Sequence, residues 1–135
     1  MFRYLVKIWK VMKMRLIDGK IISASVKQRV KEEVEALKKE GITTGLAVII
    51  VGEDPASKVY VANKEKGCRE TGIYSEVIRM PEDTDKETLL AEIDRLNRDE
   101  KIHGILVQLP LPKQIRAAEA EILEAISPLK DVDGF

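Results

Sequence analysis

The sequence contains few of the residues from which metal sites and disulfides are built. Cys68 is the single cysteine and His103 is the single histidine. One cysteine cannot form an intramolecular disulfide, and the usual thiolate and imidazole ligand sets of zinc cannot be assembled from one residue of each kind. We therefore expect no disulfide and no metal ion, and the reducing cytoplasm is the expected location.

An excess of charge of one sign and a long apolar run are absent as well. Lys and Arg together number 23, and so do Asp and Glu, so no overall field favours nucleic acid or an acidic membrane surface. The longest uncharged stretches, residues 41–52 and 102–112, are shorter than the roughly 18 apolar residues that a membrane-spanning helix needs. We expect neither nucleic acid nor a membrane as a partner.

One compact α/β domain is predicted by the length and by the order of the apolar patterns. With 135 residues, of which 44% are hydrophobic, the chain suits a single domain with a core of its own. A helical pattern begins after Ser25, a candidate N-cap, and ends before Gly41. Strands are predicted at residues 45–51, 74–80 and 104–108, each followed by a helical pattern. This order predicts a three-layer αβα domain with a mostly parallel sheet.

Capping residues mark the starts of the later helices. Asp54, followed by Pro55, predicts the start of the second helix, which should end near Gly72. Thr84 and Glu87 have the capping-box spacing and predict the start of the third helix. The last helix is predicted from the spacing of Ala117, Ala120, Leu123 and Ile126.

The first thirteen residues have a composition of their own. Five basic residues and no acidic residue occur among residues 1–15. Their apolar residues fall at helical spacing, which is typical of an amphipathic presequence or of a membrane-surface segment. Because lysines interrupt any secretory apolar region, an upstream-extended start or a tail packed on the domain is the favoured interpretation. We treat residues 1–13 as an extension and residues 14–135 as the domain.

The second predicted helix carries a candidate reactive face. Tyr60, Lys64 and Cys68 follow each other at intervals of four residues and therefore share that face. An amine that is removed from water against an aromatic ring can act as a general base. By spacing alone, a core tyrosine beside a lysine that reaches out to solvent is the favoured alternative. Cys68 is interpreted as a small buried packing residue.

Other polar positions allow two interpretations each. The hydroxyl of Ser57 either bonds a free backbone amide in the first helical turn or faces a pocket. Gln108, which ends an apolar strand, is either a site residue or an amide that a loop satisfies. Asp131 and Asp133 are turn formers on pattern alone.

The turn after the first strand contains neither a dinucleotide fingerprint nor a P-loop, so no phosphate cradle is predicted there.

Four motifs occur in a fixed order along the chain. They are Val51-Gly-Glu-Asp-Pro-Ala-Ser57, Tyr60-Val-Ala-Asn-Lys64, Gly104-Ile-Leu-Val-Gln-Leu-Pro-Leu-Pro112 and Lys130-Asp-Val-Asp-Gly134. Together they resemble bifunctional methylenetetrahydrofolate dehydrogenase and methenyltetrahydrofolate cyclohydrolase, and the resemblance extends from about residue 16 to the last residue. It implies oxidation of 5,10-methylenetetrahydrofolate by NADP to the 5,10-methenyl cation, followed by hydrolysis to 10-formyltetrahydrofolate in the same cleft.

The resemblance also implies roles for individual residues. Lys64 matches the lysine that acts as the acid/base group and activates the hydrolytic water. Tyr60 matches the tyrosine that packs against the folate and positions it. Gln108 matches the glutamine that hydrogen-bonds this lysine. Asp133 matches the aspartate that binds the donor edge of the pterin.

Further expectations follow from the same resemblance. The predicted substrate contacts are completed by Gln108, by Pro110 and by Ser57, which matches a residue near the lysine. Family members carry NADP on a second, carboxyl-terminal Rossmann domain, and this sequence ends at Phe135. We therefore expect the amino-terminal folate-binding half of a homodimeric, multifunctional enzyme of one-carbon metabolism that serves purine biosynthesis. Hydride transfer by this half alone is implausible, and its cyclohydrolase activity alone is expected to be weak or absent. The alternative is a non-catalytic folate-binding or subunit-contact module.

Overall fold

The sheet of the domain is parallel throughout. The computed structural model describes residues 17–134, so the extension predicted over residues 1–13 lies outside the described part. Three strands, β1 (Gly45–Val51), β2 (Tyr74–Met80) and β3 (Gly104–Val107), are arranged in the order β2-β1-β3. All pairings are parallel, and Val48 of β1 lies opposite both Val77 and Leu106. The predicted mostly parallel sheet is confirmed.

Helices cover both faces of this sheet. They are α1 (Gly19–Lys39), α2 (Pro55–Thr71), α3 (Lys86–Arg98) and α4 (Glu119–Glu124), the last preceded by a 3-10 turn at Arg116–Ala118. Val61 of α2 packs with Val48 and Ile50 on one face. Leu89 of α3 and Ile122 of α4 belong to the core cluster on the other face. The predicted three-layer αβα architecture is confirmed.

The central strand shows why its sequence is apolar without interruption. Along β1, Val48 and Ile50 face α2, whereas Ala47, Ile49 and Val51 face α3 and α4. A strand covered on both sides buries every side chain, so the alternation of an exposed sheet is lost. The edge strand β2 is only half-buried, and it carries charged residues among the apolar ones.

Two predicted helix starts are wrong because an aspartate elsewhere in the sequence supplies the cap. Helix α1 begins six residues before Ser25, at Gly19, because the Asp18 carboxylate accepts the backbone N–H groups of Lys20 and Ile21. Ser25 therefore lies inside the helix.

Helix α3 is capped by Asp85 instead of Thr84. The Asp85 carboxylate accepts the backbone N–H of Thr88 at 2.7 Å. The Thr84 hydroxyl donates to the Pro81 carbonyl and so holds the preceding turn.

The last helix is shorter than predicted. The predicted helix covers residues 117–126, whereas α4 covers Glu119–Glu124 and the residues before it form a 3-10 turn. Pro128 disfavours the helical conformation at Ser127, which explains the early end. The Ser127 backbone N–H donates instead to the Asn97 side chain at 2.9 Å.

Gly45 begins β1 at a point where another part of the backbone passes very closely. A Cβ atom at this position would overlap the carbonyl oxygen of Lys101, which cannot move aside as a flexible side chain would. We expect Gly45→Ala to lower the free energy of unfolding by about 1–3 kcal/mol. Gly19→Ala is the control, since no atom lies within 4 Å of a Cβ there. Urea unfolding of both variants tests this expectation, and equal stabilities would contradict it.

The length and the apolar content of the described helices can be compared with those of a membrane-spanning helix. None of the helices formed by residues 17–134 combines the length and the apolar content that a bilayer crossing requires.

Candidate functional site

A lysine and a glutamine meet at the carboxyl end of the sheet. Lys64 lies on the third turn of α2, and Gln108 directly follows β3. The Lys64 Nζ donates to the Gln108 Oε1 at 3.0 Å. The backbone N–H of Gln108 donates to the Ile49 carbonyl at 2.8 Å, so the central strand holds this residue in place. Both side chains are half-buried, which shields their contact in part from water.

Tyr60 stands one helical turn before this lysine. The Lys64 Nζ lies 5.7 Å from the centroid of the Tyr60 ring, which is within the range of a cation–π contact. The tyrosine is 60% exposed, so the predicted alternative of a core tyrosine is wrong. An exposed aromatic ring beside a held amine leaves a flat apolar surface free for a planar ligand.

The amide of Gln108 makes a second contact that points away from the lysine. Its Nε2 donates to the Leu109 carbonyl at 2.9 Å. The same carbonyl accepts the Ser57 hydroxyl at 3.3 Å. Ser57 is buried, with 3% of its surface exposed. The Leu109 carbonyl thus joins the start of α2 to the loop after β3.

Asp54, and not Ser57, provides the side-chain acceptor for a free backbone N–H in the first turn of α2. The Asp54 carboxylate accepts the backbone N–H of Ser57 at 2.7 Å, and Pro55 occupies the first helical position. This N–H bond, together with the Ser57 side chain, lowers the pKa of the Asp54 carboxyl from its ordinary value. The predicted cap at Asp54 is confirmed, and the Ser57 hydroxyl, besides its effect on this carboxylate, reaches the Leu109 carbonyl.

Asp133 lies on a segment that extends the sheet beyond β3. Asp131 pairs with Ile105 in an isolated parallel bridge, so the chain there runs in the same direction as β3. The Asp131 carboxylate accepts the backbone N–H groups of Asp133 and Gly134 at 3.0 and 3.1 Å. Asp131 is therefore the turn former that the pattern predicts. Asp133 is exposed and follows the bridge toward the strand end at which Gln108 lies.

The thiol on the same helix does not belong to this group. Cys68 is 5% exposed, and its burial raises the pKa of the thiol above the ordinary value. A buried thiol of this kind is a weak nucleophile at neutral pH. The expectation that Cys68 is a packing residue is confirmed.

The two helix starts that face the carboxyl end of the sheet do not suit a dinucleotide. Phosphates bind at helix starts because the free N–H groups there attract negative charge. Asp54 at α2 and Asp85 at α3 already place a carboxylate on those groups. The residues at these two turns therefore do not fit NADP, and no residue of the described part is assigned to it.

The described residues can also be compared with the side chains that a metal ion requires. In the part of the chain that the structure describes, no three His, Cys, Asp or Glu side chains lie close enough to share a metal ion.

Most of the residues singled out in the sequence lie around one site. Lys64 contacts both Tyr60 and Gln108, Ser57 shares the Leu109 carbonyl with Gln108, and Pro110 is exposed on the loop after Gln108. Asp133 makes no hydrogen bond to any of these residues. The Leu109 carbonyl is the participant that sequence reasoning missed, because a backbone oxygen leaves no signal in the pattern of side chains.

Comparison with known proteins finds close relatives over nearly all of the described part. The family model described as "Tetrahydrofolate dehydrogenase/cyclohydrolase, catalytic domain" matches residues 17–133. The proteins named "Bifunctional protein FolD" of Geotalea daltonii and Moorella thermoacetica are 58% and 60% identical, each over 121 residues. Each match covers 90% of this chain and 42% of the relative. The chain thus spans about two-fifths of the length of the curated relatives it matches.

Solved structures agree with this family. The bifunctional FolD enzyme of Campylobacter jejuni has a TM-score of 0.86 and 50% identity, and the match covers 89% of this chain and 42% of that one. The FolD enzyme of Trypanosoma brucei, complexed with NADP cofactor and an inhibitor, has a TM-score of 0.83 and 35% identity, with 88% and 40% covered. The resemblance of the sequence motifs is confirmed, and the chain belongs to the tetrahydrofolate dehydrogenase/cyclohydrolase family, whose catalytic domain its residues 17–133 match.

Proposed function

We propose that this chain binds a reduced folate and hydrolyses the 5,10-methenyltetrahydrofolate cation to 10-formyltetrahydrofolate. The observation that carries the proposal is the contact of Lys64 with Gln108 beside the exposed Tyr60 ring, at the ligand-binding end of a parallel sheet. Membership of a folate dehydrogenase/cyclohydrolase family supports the choice of substrate class. The alternative of a non-catalytic module is not favoured, because the relatives are named as bifunctional enzymes.

In the hydrolysis, Lys64 is the acid/base group. Its neutral amine takes a proton from water while the water oxygen forms a bond to the methenyl carbon. The protonated amine then gives that proton to N5 as the bond between N5 and the carbon breaks. Loss of the hydroxyl proton leaves the formyl group on N10, so one water is consumed and one proton is released. Gln108 accepts an N–H of Lys64 throughout and keeps the amine in place.

Binding of the substrate is assigned to the residues around this amine. Tyr60 stacks on the folate rings through its exposed face. Asp133 accepts hydrogen bonds from the donor edge of the pterin, for which a carboxylate is suited. Pro110, which is exposed two residues after Gln108, is assigned to the substrate surface. Ser57 is buried and contacts this loop through the Leu109 carbonyl, so the predicted contact of Ser57 with the substrate is not proposed.

We also propose that the chain is the folate-binding part of a dehydrogenase that oxidises 5,10-methylenetetrahydrofolate. NADP would accept the hydride in that reaction, and a second domain of a longer protein would hold it, since Asp54 and Asp85 occupy the helix starts here. In this arrangement residues 14–135 form the folate-binding catalytic domain and residues 1–13 precede it as an extension. The part played by this chain is to hold the folate at Tyr60 and Asp133.

Hydrolysis and binding can be measured on the purified chain. We expect it to bind a folate analogue weakly in calorimetry and to remove the absorbance of methenyltetrahydrofolate slowly, but faster than buffer alone does. Binding without turnover would contradict the proposed hydrolysis and support the non-catalytic module. Absence of both binding and turnover would contradict both alternatives for this chain.

Replacement of Gln108 separates orientation from proton transfer. We expect Gln108→Ala to lower turnover roughly tenfold and to leave measurable activity, since it removes one hydrogen bond to the lysine but keeps the amine. Gln28→Ala is the control, because that glutamine is exposed on α1 and its side chain donates to Glu32 on the same helix. A larger loss for Gln108→Ala than for removal of the Lys64 amine would reverse the two roles.

The setting of the enzyme is also proposed from the family resemblance. A homodimer in the cytoplasm that supplies one-carbon units for purine biosynthesis remains a prediction for a two-domain protein. Since the dimer contacts are predicted to come mostly from the cofactor domain, residues 1–135 alone should sediment as a monomer. A stable dimer of this chain would overturn that part of the prediction.

A further inference from the structure

The orientation of the Gln108 amide decides whether its oxygen can accept a hydrogen bond from Lys64. An amide has an acceptor on one side and a donor on the other. With Oε1 toward Lys64 and Nε2 toward the Leu109 carbonyl, both contacts pair a donor with an acceptor. In the reversed orientation, Oε1 would face the Leu109 carbonyl oxygen, and that contact would be lost. Nε2 would face Lys64 and could not pair with a protonated amine, which has only donors. A fixed carbonyl at Leu109 therefore selects the useful orientation.

The Leu109 carbonyl is held from the side of α2 by a buried hydroxyl. Ser57 Oγ donates to this oxygen at 3.3 Å. The position of Ser57 is set in turn by its backbone N–H, which donates to the Asp54 carboxylate at 2.7 Å. Ser57 is 3% exposed, so its hydroxyl does not lie on the open surface where a ligand would approach.

We infer that Ser57 is a positioning residue that orients the Gln108 amide through the Leu109 carbonyl and thereby holds the Lys64 amine. The contacts run from Ser57 Oγ to the Leu109 oxygen, from that oxygen to Gln108 Nε2, and from Gln108 Oε1 to Lys64 Nζ. This role deepens the proposed function, on which its kinetic consequence rests. The orientation of the amide itself does not depend on any activity.

The spectrum of the Gln108 side chain tests the inference without a substrate. In a 15N-labelled chain, the Nε2 protons of Gln108 are identified by their loss in Gln108→Ala. We expect Ser57→Ala to shift and broaden this pair of signals, because the Leu109 carbonyl loses one of its two donors. Ser57→Thr keeps the hydroxyl and should restore the signals of the wild type. Unchanged Gln108 signals in folded Ser57→Ala would overturn the inference.

A matched control removes a similar hydroxyl elsewhere on α2. Thr71 is also buried, and its hydroxyl donates to the Gly67 carbonyl at 2.9 Å, at the far end of the helix. We expect Thr71→Val to leave the Gln108 signals unchanged, and an equal disturbance by Thr71→Val would show a general loosening of the helix and overturn the specific role of Ser57. Should Ser57→Ala fail to fold, Ser57→Cys fills the same space with a weak donor and gives the same readout.

Kinetics then test whether the effect passes through Gln108. We expect Ser57→Ala to lower kcat for methenyltetrahydrofolate hydrolysis roughly two- to tenfold with little change in KM, as for the loss of one hydrogen bond. In the Gln108→Ala background the same substitution should have no further effect. Equal losses in both backgrounds would show that Ser57 acts by another route. A wild-type chain without turnover would contradict the proposed function alone, since the spectra test the positioning separately.

Discussion

Lys64→Met is expected to remove cyclohydrolase activity while the domain stays folded. The methionine keeps the long apolar side chain along α2 and removes only the amine, so packing is preserved. General acid/base catalysis contributes about a hundredfold to ten-thousandfold to the rate, and we expect a loss in that range. Measurement of kcat for the hydrolysis of methenyltetrahydrofolate tests this, with circular dichroism as the check of folding.

Lys66→Met is the matched control for this experiment. Lys66 lies on the same helix but is exposed, and its contact is a long ion pair with Glu70 at 3.9 Å. An exposed pair of this kind contributes little, so activity should remain near that of the wild type. Turnover of Lys64→Met at the wild-type rate would remove this lysine from the mechanism.

Leu89→Ala is expected to cause the largest loss of stability. Leu89 is fully buried in the core between α3 and the sheet, where it packs with residues of both. Truncation of a buried leucine costs about 2–5 kcal/mol, because the surroundings do not close the cavity completely. Since a domain is stable by only about 5–15 kcal/mol, the midpoint of urea unfolding should fall clearly.

Leu129→Ala makes the same chemical change on the surface. Leu129 is 94% exposed, so its truncation leaves no cavity, and the free energy of unfolding should change by no more than about 0.5 kcal/mol. The difference between the two variants isolates the effect of burial. Equal midpoints would mean that α3 does not pack on the sheet as described.

The regular elements could be predicted because each is a local consequence of its own residues. The uninterrupted apolar run at residues 45–51 identified the central strand, since only a strand covered on both faces is apolar throughout. Asp54 and Pro55 identified the start of α2 for a similarly local reason. Ser25 and Thr84 failed as caps because Asp18 and Asp85 compete with them. When a sequence offers more than one possible capping residue, the pattern alone does not decide at which of them the helix begins.

The candidate site was predictable in its members but not in its contacts. Spacing placed Tyr60 and Lys64 on one helical face, and the family motifs added Gln108. Spacing alone favoured a buried tyrosine, whereas the ring is 60% exposed. Exposure depends on what the rest of the chain places over the helix, and no local pattern records it.

The sequence by itself determined the parallel α/β architecture, the family and the residues around which the site is built. Only the tertiary structure decided that Ser57 and Gln108 share the Leu109 carbonyl as their acceptor. These residues lie 52 positions and one position from that carbonyl along the chain. The physical reason is that a backbone oxygen is the same in every residue, so its partners depend on where the folded chain brings donors within about 3 Å of it.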